Sequence, residues 1–174
     1  MKTMRICGHF GCVVVLLAAI GCGGTDGPKV VPVKGKITVG KSEPFKKGWV
    51  IFSPKPGSKY TGGAAVTDDA GNYVLKHTSQ KPGVEPGDYN VSFSLYKMPD
   101  GSAIAPDKGN NPKTPQEMGG VQFVPLDMST ILSTKNPTTV PKTGGTFDFD
   151  IPELKAQSAK PNAPAKQRRR SNED

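Results

Sequence analysis

Residues 89–96 (YNVSFSLY) alternate without a break. Tyr89, Val91, Phe93 and Leu95 fall on one face, and Asn90, Ser92 and Ser94 on the other. A period of two residues belongs to a strand with one buried and one wet face. The same pattern recurs in residues 146–151 (TFDFDI), where Phe147, Phe149 and Ile151 alternate with Asp148 and Asp150. Residues 30–39 (VVPVKGKITV) set Val31, Val33 and Ile37 among polar positions, with Pro32 near the start, as a strand tolerates. Residues 49–53 (WVIFS) are a continuous apolar, β-rich run and read as a core strand, which places Trp49 inside. Shorter strand candidates are 64–67, 73–77, 121–126 and 138–140, and no window shows a persuasive helical period.

Between these runs lie turn signals at 40–44 and at 82–88 (PGVEPGD). Residues 67–73 (TDDAGNY) raise a choice between a cation loop and a bend. A helix–loop–helix calcium site needs ligands at alternate positions and a late glutamate. Here Asp68 and Asp69 are adjacent, Ala70 takes a ligand position, and Ser79 stands where the glutamate belongs. A β-turn wants an early Asp and a Gly or Asn at positive φ, and the run supplies both. It is therefore read as the bend of a β-hairpin between two strands. Residues 97–120, rich in Pro, Gly, Asn, Lys and Asp, read as a long surface loop. About seven short strands joined by turns predict an all-β fold, an Ig-like or prealbumin-like antiparallel β-sandwich with disordered termini.

Composition agrees with this outline. The chain has 174 residues, 34% of them hydrophobic, with 21 Gly and 17 Pro, a balance that disfavours a helical bundle. One domain fits this length. The net charge of +8 is uneven, because residues 155–170 hold six basic residues and no acidic one. In isolation Lys166, Arg168, Arg169 and Arg170 resemble a nucleic-acid-binding run, but the compartment read from the other end of the chain removes that partner.

Residues 1–24 (MKTMRICGHFGCVVVLLAAIGCGG) open with Lys2 and Arg5, continue through the apolar run 13–20, and end in small residues, as a secretory signal does. The run is far shorter than the roughly 20 residues that span a bilayer. Its end, Ala19-Ile20-Gly21-Cys22, resembles the lipobox of bacterial lipoproteins, departing at Ala19, where the pattern usually has leucine. The resemblance implies cleavage before Cys22 and acylation of Cys22, palmitate among the chains, with residues 1–21 as the lipoprotein signal peptide. Two or three acyl chains anchor a protein stably, whereas one binds marginally. Gly23 follows the cysteine where an aspartate would favour inner-membrane retention, so the outer membrane is preferred. Cys7 and Cys12 leave with the signal and Cys22 carries lipid, so no thiol remains for a disulfide, a zinc–thiolate site or a nucleophile. The organisation expected is a tether at 22–29, the sandwich at 30–152 with its loop at 97–120, and a basic tail at 153–174.

Five stretches taken in order, VKGKITVG (33–40), WVIFSP (49–54), TDDAGNY (67–73), PGDYNVSF (86–93) and TFDFDI (146–151), resemble the carboxypeptidase regulatory-like domains, which are transthyretin-like β-sandwiches. The resemblance covers most of residues 30–151. It implies a fold and no catalytic residues, and it is similar in particular to small bacterial lipoproteins built on this domain. The 40–43 turn departs from the Asp-Gly or Asn-Gly pair usual in such domains, and 97–120 is an insertion.

Candidate chemistry is sparse. A hydrolytic triad needs a histidine, and after cleavage only His77 remains, read here as a solvent-facing strand residue beside Lys76 and Thr78. Asp148 and Asp150 share a wet strand face and read as solubilising, edge-protecting charges. Gly62-Gly63 lacks the spacing of a phosphate loop, and no metal or cofactor site is expected. The chain thus reads as a lipid-anchored cell-envelope protein with a non-catalytic sandwich in a structural or protein-interaction role. Its expected partners are the membrane, through lipid, and an envelope protein or glycan, with no nucleic acid. The alternative is a carbohydrate- or polyanion-binding module using 97–120 and the tail. A third reading, a small transthyretin-like hydrolase, needs a cleft in which His77 meets a Ser, Arg or carboxylate.

Overall fold

A computed structural model describes residues 27–107, 111–130 and 135–157; the signal segment 1–21, Cys22 and tail residues 158–174 lie outside the described residues. In chain order the strands begin with β1 (Val33–Val39), β2 (Glu43–Pro44), β3 (Trp49–Pro54), β4 (Gly63–Val66), β5 (Asn72–Val74) and β6 (Lys76–His77). They continue with β7 (Gly87–Ser94), β8 (Tyr96–Lys97), β9 (Val121–Gln122), β10 (Pro137–Val140), β11 (Gly145–Thr146) and β12 (Phe149–Ile151). A single helical turn, α1 (Leu126–Ser129), lies between β9 and β10.

These strands form an all-β sandwich. One sheet runs β10-β7-β3-β4-β6, antiparallel throughout. The other is built around β1, whose first half lies between β5 and β11 and whose second half lies between β2 and β12. Its contacts with β11 and β12 are parallel, so the last strands of the domain close alongside the first. The pair β8–β9 forms a small ladder that joins the two ends of the 97–120 excursion.

The alternating residues fill the space between the sheets. Val33 and Ile37 from one meet Val50, Phe52, Tyr89, Val91 and Phe93 from the other in a continuous core. Phe52 is its hub, with ring centroids 5.9–6.5 Å from Tyr89, Tyr73, Phe147 and Phe149. These tilted and edge-on pairs suit the aromatic quadrupole. Truncating Phe52 to Ala costs about 3–5 kcal/mol. Two phenol groups tie backbone to this core. Tyr89 donates to the Glu85 carbonyl at 2.6 Å, a tyrosine corner in the sense used for β-sandwiches, and Tyr73 donates to the Phe147 carbonyl at 2.7 Å.

Two runs read as single strands are divided in the structure. In 73–77 the chain leaves β5 in one sheet and enters β6 in the other, with buried Leu75 at the crossing. The TDDAGNY turn therefore connects β4 to a strand of the opposite sheet and is a corner between sheets rather than the bend of a hairpin. Its internal geometry is a turn. Asp68 accepts from the Ala70 and Asn72 amides at 2.9 and 2.8 Å, and Gly71 sits at φ 81°, where an added Cβ would meet the Ile37 carbonyl at 2.5 Å. In 146–151, Asp148 interrupts the ladder and its carboxylate accepts the Lys36 amide at 2.7 Å. Asp150 likewise accepts from Thr38 Oγ1 and the Lys41 amide, each at 2.7 Å. Both aspartates are exposed, as expected, Asp150 on the edge strand β12, and both also accept hydrogen bonds from β1 and its turn.

Ser92, expected on a wet face, is buried, and α1 packs against β7. A single turn such as LDMS is too short to show a helical period, so its first residue, Leu126, reads as the end of a strand over 121–126. The structure makes only residues 121–122 a strand.

Candidate functional site

Strand β3 turns Val50 and Phe52 into the core, so Trp49, Ile51 and Ser53 face outward. Trp49 is 50% exposed, against the expectation that it lies in the core. A continuous apolar run reads as buried on both faces, and WVIFS is apolar on both. Across the ladders Trp49 stands opposite Val66 of β4 and Ser94 of β7, while Ile51 stands opposite Ala64 and Ser92. The outer face of the β7-β3-β4 sheet at these positions is thus an uncharged strip crowned by an indole.

Trp49 walls two open clefts. The first, about 650 Å³, runs from Trp49, Val66 and Val74 toward a polar end at Thr61, Thr78 and Gln80, with Lys76 on its rim. The second, about 590 Å³, lies toward β8, where Ile104, Pro115 and Met118 of the 97–120 segment fold back opposite Trp49. That segment lacks an apolar pattern in sequence, yet it contributes apolar residues to a wall. Its polar lining includes Lys46, Lys47, Lys97 and Asp69. Lys47 pairs with Asp69 at 3.1 Å, an exposed contact worth little in stability, and the Lys97 ammonium sits 5.7 Å above the Phe123 ring. The two clefts together present four lysines and one carboxylate.

At the polar end of the first cleft the structure corrects the reading of His77 as solvent-facing. Its residue is 3% exposed. The ring Nε2 lies 3.0 Å from Glu85 Oε1 and 2.6 Å from Thr61 Oγ1, and Nδ1 lies 2.7 Å from Ser79 Oγ. The Ser79 amide donates to Nδ1 at 3.0 Å. A backbone N–H cannot accept, so Nδ1 is unprotonated and Nε2 carries the proton toward Glu85 and Thr61. Glu85 is 6% exposed, and its Oε2 has no partner among the described residues.

Sequence reasoning missed Glu85, because it stands in a turn-rich segment with no period. It is buried because the Val84 backbone pairs with Val31 on one side and Tyr89 holds the Glu85 carbonyl on the other.

This cluster contains a Ser, a His and a Glu, but its wiring differs from a hydrolytic triad. There the serine hydroxyl gives its proton to a free ring nitrogen. Here the single in-plane lone pair of Nδ1 is shared: the Ser79 amide donates to it at 3.0 Å as well as the Ser79 hydroxyl at 2.7 Å, so it is not free to take the serine proton. The 77–81 loop, closed by His77 N to Lys81 O and by Gln80 N to His77 O, uses the imidazole as an internal peg.

Among the described residues no group of three or more His, Cys, Asp or Glu is placed to hold a metal ion. At Asp68 and Asp69 the two carboxylates diverge, one to the turn and one to Lys47. Comparison of the chain with protein-family models, curated proteins and solved structures found no match.

Proposed function

We propose that this chain is a lipid-anchored protein of the bacterial cell envelope, held through Cys22, whose β-sandwich is a non-catalytic binding module of the carboxypeptidase regulatory-like kind. The observation that carries the binding assignment is the half-exposed Trp49 between two clefts, on a floor that is uncharged at Trp49, Ile51, Ala64 and Val66 and bordered by lysines. Large aromatics at open clefts are over-represented where proteins hold ligands and partners. The anchor rests on Gly21-Cys22 directly after the apolar run 13–20; the other two cysteines, Cys7 and Cys12, both precede that run. Among the described residues no helix is long and apolar enough to cross a membrane. Labelling with radioactive palmitate tests the anchor: the wild-type chain takes up label and resists a salt wash, and Cys22→Ser does neither. A Cys22→Ser chain that stays labelled or membrane-bound removes the assignment.

One observation favours a second reading, a small hydrolase: His77 does meet Ser79 and Glu85 at a cleft. The occupied Nδ1 weighs against it, and the two readings separate by experiment. Ester hydrolysis above background that His77→Ala and Ser79→Ala both abolish would establish the hydrolase; the binding reading expects neither variant to change the rate.

A further inference from the structure

We infer that the Trp49 face binds an acidic polysaccharide, its sugar rings stacked on the indole and its carboxylates met by Lys46 and Lys76. This inference rests on the binding-module reading above and names its ligand class. A pyranose ring offers a face of C–H groups that packs on an aromatic plane, and its hydroxyls turn outward to polar groups. The structure supplies both. Trp49 is half-exposed on a strand paired on both sides, which fixes its position, and Thr61, Thr78 and Gln80 line one cleft with Ser94 and Tyr96 lining the other.

The clefts lie on opposite sides of the same indole and are open, which suits an extended polymer crossing the ring rather than a small molecule enclosed by it. Charge decides the sign of that polymer. Four lysines face one carboxylate, and that carboxylate is engaged by Lys47. Fields of this kind raise the local concentration of anions and weaken with salt.

An acidic peptide carries the same charge but fits the floor poorly. Extended peptides gain affinity by pairing with a free strand edge. At Trp49 and Ile51 the floor is strand β3, whose backbone is hydrogen-bonded to β4 on one side and β7 on the other. A peptide would be held there by side chains alone.

Trp49 is the sole tryptophan of the chain, so its emission reports this face and nothing else. The full-length lipidated protein in detergent micelles is titrated with polygalacturonate, with dextran and polyglutamate as comparators. Polygalacturonate is expected to shift Trp49 emission to the blue and to shield it from acrylamide. Affinity electrophoresis is expected to show Trp49→Ala binding at least about tenfold more weakly. Lys46→Glu with Lys76→Glu is expected to weaken binding by a similar factor, and so is raising salt from about 0.15 M to about 0.5 M. The lysine pair lies at the surface, so it carries the test if Trp49→Ala alters the circular dichroism spectrum.

An equal or larger response to polyglutamate overturns the glycan assignment in favour of an acidic protein surface, while leaving the binding module standing. An equal response to dextran overturns the role of charge. Polygalacturonate binding that ignores Trp49 and the lysine pair places the ligand elsewhere and overturns the site. Palmitate labelling is indifferent to all these outcomes, so failure here and failure of the anchor are told apart.

Discussion

Tyr89→Phe removes one oxygen and leaves the ring in place. Tyr89 is 0% exposed, its ring packs 5.9 Å from Phe52, and its hydroxyl donates to the Glu85 carbonyl at 2.6 Å. The phenylalanine keeps the packing, so the change isolates the tyrosine corner. A net hydrogen bond is worth about 1 kcal/mol, and a buried carbonyl left without a donor costs about 1–3 kcal/mol. The expected loss is therefore about 2 kcal/mol. Urea unfolding followed by far-ultraviolet circular dichroism reads this as a midpoint lower by about 1.3 M, for a slope of about 1.5 kcal/mol/M that the mutation leaves unchanged. Tyr96→Phe is the control: its hydroxyl accepts an exposed bond from Gln116, and its loss should cost under about 0.5 kcal/mol.

Alkaline pH gives the same hydroxyl a second reading. Burial, reinforced by Glu85 and Tyr60, holds the Tyr89 phenol well above the usual tyrosine range, and burial with Asp148 does the same for Tyr73. A folded-state value above the unfolded one contributes stability that is fully present below about pH 10 and is lost as pH rises through the folded value. Wild type should lose stability above about pH 10, and Tyr89→Phe should lose it less steeply. A Tyr89→Phe midpoint equal to that of wild type at neutral pH would refute the corner's role.

Glu85→Ala should destabilise by roughly 2–4 kcal/mol in urea unfolding, since it strips a buried partner from His77 Nε2 and leaves a void. A neutral result would mean that the His77 cluster does not hold the 77–81 loop. Hydrogen bonds from Asn72, reinforced by the Ala70 amide and Lys47, hold the Asp68 carboxyl below its usual range. Its contribution is present above about pH 4 and is lost as pH falls through the lowered value, so Asp68→Asn should be less stable than wild type at pH 7 and the gap should close in acid; a pH-independent gap in thermal midpoints contradicts this. Lys41 stands at φ 66°, a region asparagine tolerates better, and Asp150 holds only its backbone, so Lys41→Asn should stabilise by roughly 0.5–1 kcal/mol. A lower thermal midpoint for Lys41→Asn would show the side chain to be needed.

The core was legible where alternation was strict. Tyr89, Val91 and Phe93 could be assigned inward from spacing alone, and all are buried. What sequence hid follows from three physical causes. An apolar run carries no facing information, so WVIFS reads as core throughout although Trp49 is an outward member of it. A strand run gives no sign of where the chain changes sheets, so 73–77 looked continuous although Leu75 is the crossing and the TDDAGNY bend a corner. Burial inside a turn has no period at all, so the spacing gives no sign of Glu85, and without it His77 reads as solvent-facing. The candidate site lay almost wholly in these blind spots.

Photocrosslinking in the intact envelope tests the central claim most directly. A benzophenone amino acid is placed at position 66, an exposed residue opposite Trp49 that lines the first cleft, or at position 139, an exposed residue of β10. A covalent adduct with a non-self envelope component is expected from position 66 and none from position 139, with Trp49 intact in both. Adducts confined to position 139, or none from position 66 in membrane-bound protein, would contradict the binding face.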